Sequence, residues 1–122
     1  MTFKQNAMGS GTPAAQASAI IGGANAGLTA TGSTQADALA LSATNSQFTT
    51  VASGTGCIAP SYMQPGDYFR VFNNGANTLL VYPTSGAAIN NGSTNAGFSV
   101  AANKGAQFVM LSPTLFGAML SA

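Results

Sequence analysis

From Leu28 onward, turn signals cut the chain at intervals of roughly 8–12 residues, and this spacing limits the fold more than any other feature. Gln64-Pro65-Gly66-Asp67 suits a type II turn, with Pro second and Gly third. Asn73-Asn74-Gly75-Ala76-Asn77 reads as a tight connection of the hairpin kind, and Asn90-Asn91-Gly92 and Ser112-Pro113 as further turns. The runs between them are β-branched, aromatic or alternating: Phe48–Val51, Tyr68–Phe72, Thr78–Tyr82, Phe98–Val100, Gln107–Leu111 and Leu115–Leu120. No strand–helix–strand alternation is visible, which argues against a parallel α/β sheet. The expectation is an all-β domain over residues 28–122, folded as an antiparallel, jelly-roll-like β-sandwich. A helix over Thr34–Ala43 stays open, because Ala and Leu favour helix.

Residues 1–27 differ. Met8–Pro13 and Gly22–Gly27 are small-residue stretches rich in Gly, and bulky apolar anchors are few. The segment is expected to be a flexible N-terminal arm outside the sandwich, contributing to assembly and not to the core. Ala19-Ile20-Ile21 ends at Gly22-Gly23, too short for a secretory core or a spanning helix, so synthesis in the cytoplasm is the expectation.

Charge enters the argument through its scarcity. Only Lys4, Asp37, Asp67, Arg70 and Lys104 carry formal charge, and there is no His and no Trp. Most catalytic mechanisms need groups that hold charge or move protons, so no enzyme is expected, nor any catalytic, cofactor-binding or metal-binding residue. Three scattered cations do not make the basic stripe that nucleic acid requires. A small protein normally stays apart from its neighbours through surface charge, and interface centres are depleted of charge. The composition points to an obligate or near-obligate assembly component, with an ordinary monomer bearing a Ser/Thr/Asn surface as the alternative, and a homo-oligomer is the expectation.

The remaining motifs weaken on inspection. Gly54-Thr55-Gly56-Cys57-Ile58-Ala59 matches G-x-G-x-x-G/A, but Pro60 leaves no room for the helix that must follow, and no acidic residue lies downstream of Asp67. Cys57 is a nucleophile only if activated, and there is no His to do so. A lone cysteine forms no internal disulfide and reads as a small buried apolar residue. Asp37 and Asp67 are better explained by local structure than as an acid/base pair. Asn91-Gly92-Ser93 is a glycosylation sequon that reads as a turn, and Tyr62, Tyr68 and Tyr82 as half-buried strand residues with polar tips.

Several segments together carry a family resemblance. They are Gly27-Leu28-Thr29-Ala30-Thr31-Gly32-Ser33-Thr34-Gln35, the Pro65-Gly66-Asp67 turn, Val71-Phe72-Asn73-Asn74-Gly75-Ala76-Asn77, Leu80-Val81-Tyr82-Pro83, Gly86-Ala87-Ala88-Ile89-Asn90 and Ser112-Pro113-Thr114. In these the chain resembles small virion proteins of tailed bacteriophages. The resemblance implies a structural protein on the capsid surface, a head decoration or cement protein. It implies compact β-sandwiches that sit as trimers at capsid junctions, bound to the major capsid protein. Such a trimer would clamp several shell subunits through linked contacts. With so few charges, its interface would respond little to salt. The alternative is a tail-fibre or receptor-binding module that recognises host surface glycans. That reading calls for an aromatic platform with convergent polar groups in a groove.

Overall fold

A computed structural model describes residues 23–121. The expected arm therefore lies outside the described residues as far as Gly22. Its final residues do not: the first strand begins at Ala24, ahead of Leu28. Ten strands follow in order: β1 (Ala24–Thr29), β2 (Leu39–Ala40), β3 (Asn45–Thr50), β4 (Gly56–Ile58), β5 (Tyr68–Asn73), β6 (Leu79–Tyr82), β7 (Ala88–Ile89), β8 (Phe98–Val100), β9 (Lys104–Ser112) and β10 (Leu115–Leu120). The described residues contain no helix, so the helical option at Thr34–Ala43 gives way to an irregular loop and the short β2.

The described residues are all-β, but the expected antiparallel jelly-roll order is wrong. One sheet runs β1-β3-β5-β9-β10-β7 and the other β2-β4-β6-β8. Five of the eight strand pairings are parallel. The chain alternates between sheets, so β1, β3 and β5 stack in parallel in one layer while β2, β4 and β6 stack in parallel in the other. This is the winding of a β-solenoid. Ala24 pairs with Asn45, and Asn45 with Arg70, so a full coil takes on the order of 20–25 residues, the size of a solenoid repeat. After three coils the direction reverses. β8 adds antiparallel to β6, β9 antiparallel to β5, and β10 folds back on β9.

The reason for the correction lies in the connections. Antiparallel neighbours can be joined by a tight loop, whereas parallel neighbours need a long crossover, and here that crossover is a strand of the opposite sheet. Asn73-Asn74-Gly75-Ala76-Asn77, expected as a hairpin loop, is instead a corner leading from β5 in one sheet to β6 in the other. A hairpin tip would sit in water, but Asn73 is fully buried. Its Nδ2 donates to the carbonyls of Asn77 and Val100, each at 2.9 Å, and its Oδ1 accepts from the Gly75 amide at 3.0 Å. The Asn77 amide group donates to the Val51 carbonyl at 2.8 Å. The turn at Gln64–Asp67 does follow expectation: the Asp67 amide bonds to the Gln64 carbonyl at 2.9 Å, with Gly66 at φ +98.

The sheets close on one apolar core. Phe69, Phe108 and Phe116 from adjacent strands are fully or almost fully buried. Phe69 and Phe108 face each other in register and stack at 4.7 Å, while Phe116 meets Phe69 edge-on at 6.2 Å. Phe98 reaches across from β8 to meet Phe108 edge-on at 5.5 Å, which ties the layers together. Each such pair contributes roughly 0.5–1.5 kcal/mol beyond the area it buries. Leu79, Val81 and Val100 supply the other sheet's share of the core.

Replacing Asn73 with Ala removes its bonds to three backbone groups, two of them buried, the Val100 carbonyl and the Gly75 amide. Urea unfolding should show Asn73→Ala less stable by about 2–3 kcal/mol, against a change below about 0.5 kcal/mol for the exposed neighbour in Asn74→Ala.

Candidate functional site

The chemistry-bearing side chains do not come together. Cys57 is fully buried in β4, and desolvation alone pushes its thiol far above the ordinary range. Asp37 lies in the loop between β1 and β2. There it accepts bonds from the Thr34 hydroxyl at 2.7 Å and the Thr34 amide at 2.8 Å, and these hold its carboxyl below the usual value. Asp67 accepts from the Gln64 amide at 2.8 Å within its own turn. Gly54–Ala59 forms a turn and strand β4, with no helix to receive a pyrophosphate. Asn91-Gly92-Ser93 is an exposed turn, closed by the Gly92 amide on the Ile89 carbonyl at 2.9 Å. Among the described residues no three His, Cys, Asp or Glu side chains cluster as metal ligands, and no helix is long and apolar enough to cross a membrane.

A different feature stands out. Among the described residues the exposed large hydrophobic side chains are Tyr68, Phe72, Leu111, Leu115, Met119 and Leu120. All six belong to β5, β9 and β10, three adjacent strands of the larger sheet. Alternation explains how they reach the surface. In β5 the side chains of Phe69, Val71 and Asn73 point into the core, so Tyr68, Arg70 and Phe72 point out. Register then builds rows across the outer face. Tyr68 lies beside Val109 and Gly117, and Arg70 beside Gln107 and Met119. Phe72 lies between Gln47 and Gly105.

Two glycines shape this face. A Cβ on Gly105 would come within 3.1 Å of the Phe72 ring, and one on Gly117 within 3.1 Å of Leu111. The large side chains lie down over the glycines, and shallow grooves open beside them. One, of about 280 Å³, runs past Arg70, Phe72, Met119 and Leu120. Another, of about 360 Å³, lies beyond Phe72 and is lined by Gln47, Asn74, Asn103 and Lys104. Both cations of the described residues therefore border this face. The Arg70 guanidinium lies 5.0 Å over the Tyr68 ring.

The other sheet presents no such surface. Tyr82 lies against Gly56 and Gly97 on its outer side and is itself buried, while Ser99 is exposed. Of the three tyrosines considered from the sequence, Tyr82 is thus buried, Tyr62 is half-buried with its hydroxyl 3.4 Å from the Ser42 carbonyl, and Tyr68 alone is exposed. Sequence reasoning overlooked Phe72 and Met119. The available signal was β5 itself, which carries aromatic residues at outward as well as inward positions, where a strand with one wet face would alternate with polar ones.

Comparison with known protein families, curated proteins and solved structures finds no match to this chain.

Two expectations follow from the titrating groups. The Cys57 thiol should not react with a thiol reagent in the native protein and should react fully once denaturant is added. Stability should be flat across neutral pH. Asp37 has a lowered folded value, so its contribution is present above the ordinary carboxyl value of 3.8 and is lost as pH falls below it. Cys57 has a raised folded value, so its contribution is present below the ordinary thiol value of 9.0 and is lost as pH rises above it. Thermal unfolding scanned from acid to alkaline pH checks both edges of the plateau.

Proposed function

We propose that the protein is a structural component of a tailed-bacteriophage virion, a decoration or cement protein that binds the capsid surface as a trimer and stabilises it. One observation carries this reading: of the six large exposed hydrophobic side chains, five (Tyr68, Phe72, Leu111, Leu115 and Met119) take outward positions on three adjacent strands of one sheet face, and Leu120 borders it at the end of β10. Contiguous apolar patches on small proteins mark interaction surfaces, and the centres of such surfaces hold aromatics, Met and Arg with little other charge. This face has that make-up. The turn and strand segments resembling phage virion proteins support the same reading, as does a chain with two acidic residues and no His. The mechanism is linked contact. Each protomer touches the shell through a rigid face, and the contacts of an oligomer must break together before the shell opens.

A second reading draws on the groove beside Phe72. There an exposed aromatic ring lies among Gln47, Asn74 and Asn103, a set of groups that suits a glycan. It would make the protein a tail-fibre or receptor-binding module. The location of the protein in the virion separates the two.

The test compares the rupture temperature of intact capsids with and without the protein. The protein should raise it, and the rise should change little between pH 6 and 8 or between low and high salt. No His titrates in that window, burial moves the Cys57 thiol out of it, and few ion pairs are exposed to screening. An unchanged rupture temperature overturns the cement role. Location at the tail tip selects the glycan reading.

A further inference from the structure

We propose that the outer face of the larger sheet docks a different protein chain, through an apolar patch that presents a carboxylate to Arg70. This rests on the reading that the face is an interaction surface, and it names the chemistry of what covers it.

Arg70 sits near the middle of that face, in the row with Gln107 and Met119. Its Nη2 donates to the Tyr68 hydroxyl at a long 3.4 Å, and its Nε is buried with no acceptor. A guanidinium has five N–H donors in a rigid fork that matches a carboxylate. In the free protein, water can reach the outer part of this half-buried side chain. Once an apolar partner closes over Phe72, Met119 and Leu120, that water is expelled. A cation buried without an acceptor is strongly unfavourable, so the covering surface must bring one.

A second copy that meets this face with its own like face cannot supply it. The chain has two acidic residues in all. Asp37 bonds Thr34 through Oδ1 in its loop, and Asp67 bonds Gln64 through Oδ2 in its turn. Neither lies on the apolar face. A symmetric pairing of two such faces would instead bring Arg70 and Lys104 towards their own copies, and like charges set together across an interface oppose association. Charge complementarity therefore selects a partner of another sequence. The surroundings narrow its chemistry further. Met119, Leu120 and Phe72 call for apolar side chains beside the acid, the pattern of an Asp or Glu flanked by Leu, Phe or Met on a protein surface.

The probes are two capped pentapeptides, acetyl-Leu-Phe-Asp-Leu-Ala-amide and its Asn counterpart, titrated into the ¹⁵N-labelled full chain and followed by NMR. The Asp peptide should shift the amides of Phe72, Gly105, Gln107 and Met119 and bind about tenfold more tightly than the Asn peptide, the worth of one charge-assisted contact. Arg70→Gln should abolish that difference while residual binding of both peptides remains. Arg70→Lys should keep only part of it, because the fork is lost. Equal binding of the two peptides overturns the carboxylate anchor and leaves the face standing as an apolar surface. Absence of binding by either peptide overturns the docking chemistry, while the capsid rupture measurement still tests the wider reading. Sedimentation of Met119→Lys closes the last route: if it converts an oligomer to monomer, a second copy covers the face and the proposal is wrong.

Discussion

A chain that alternates between two sheets must cross the rim of the core at every connection, and each crossing drags backbone N–H and C=O groups past apolar side chains. Those groups have to find partners there, since an unpaired buried one costs about as much as a lost hydrogen bond. The corner after β5 meets this constraint with a single side chain. Buried Asn73 bonds the Asn77 and Val100 carbonyls and the Gly75 amide, so it joins the end of β5, the corner itself and the end of β8. Backbone bonds extend the tie. The Asn74 amide reaches the Phe48 carbonyl at 2.8 Å, and the Asn103 amide reaches the Asn73 carbonyl at 2.7 Å. Gly75 completes the fit, because a Cβ there would meet Val51 at 2.7 Å. The register of β3, β5 and β9 depends on this junction, and so does the placement of every row on the outer face.

Local structure was legible in the residues and global pairing was not. Phe98–Val100 and Leu115–Leu120 are strands with the bounds that alternation suggests, and Pro65-Gly66 turns as its residue types demand. Turn spacing, however, has the same length whether a strand returns beside its neighbour or passes to the other sheet. Asn-Asn-Gly at residues 73–75 suits both. The clue that separates them is the near-continuous apolar run Leu79-Leu80-Val81-Tyr82. A run of this kind belongs to a strand covered on both faces, as parallel strands usually are. Those four residues are buried or half-buried in β6, with β4 parallel beside them. Ala and Leu in 34–43 suggest helix by propensity, yet β2 forms there because Leu39 and Ala40 pair with Cys57 and Ile58 of β4.

The candidate site was half legible. Scarce charge pointed to a contact surface without locating it, since composition has no address. The location follows from topology. β5, β9 and β10 become neighbours only once the winding reverses after the third coil, and their outward side chains then merge into one patch. Residues from 68 to 120 meet there, across separations that no local pattern encodes. Arg70 gains its meaning the same way. In the sequence it is one of three cations, whereas in the fold it is a half-buried cation amid apolar neighbours, with both carboxylates of the chain held elsewhere.

The outer face is also shaped before any partner arrives. Binding loses free energy when side chains must be ordered at the interface, by about 0.5–1.5 kcal/mol for each flexible one. Here the Phe72 ring rests on Gly105, Leu111 lies over Gly117, and the guanidinium of Arg70 is stacked on Tyr68. The glycines therefore do two things. They let large side chains lie flat against the sheet, and in doing so they restrict those side chains and leave grooves on either side of Phe72. The backbone beneath is held by strand pairing to β3 on one flank and β7 on the other. A face of this kind presents its shape at little further entropic cost, and on the proposed reading its selectivity is left to Arg70, whose Nε the fold leaves without an acceptor.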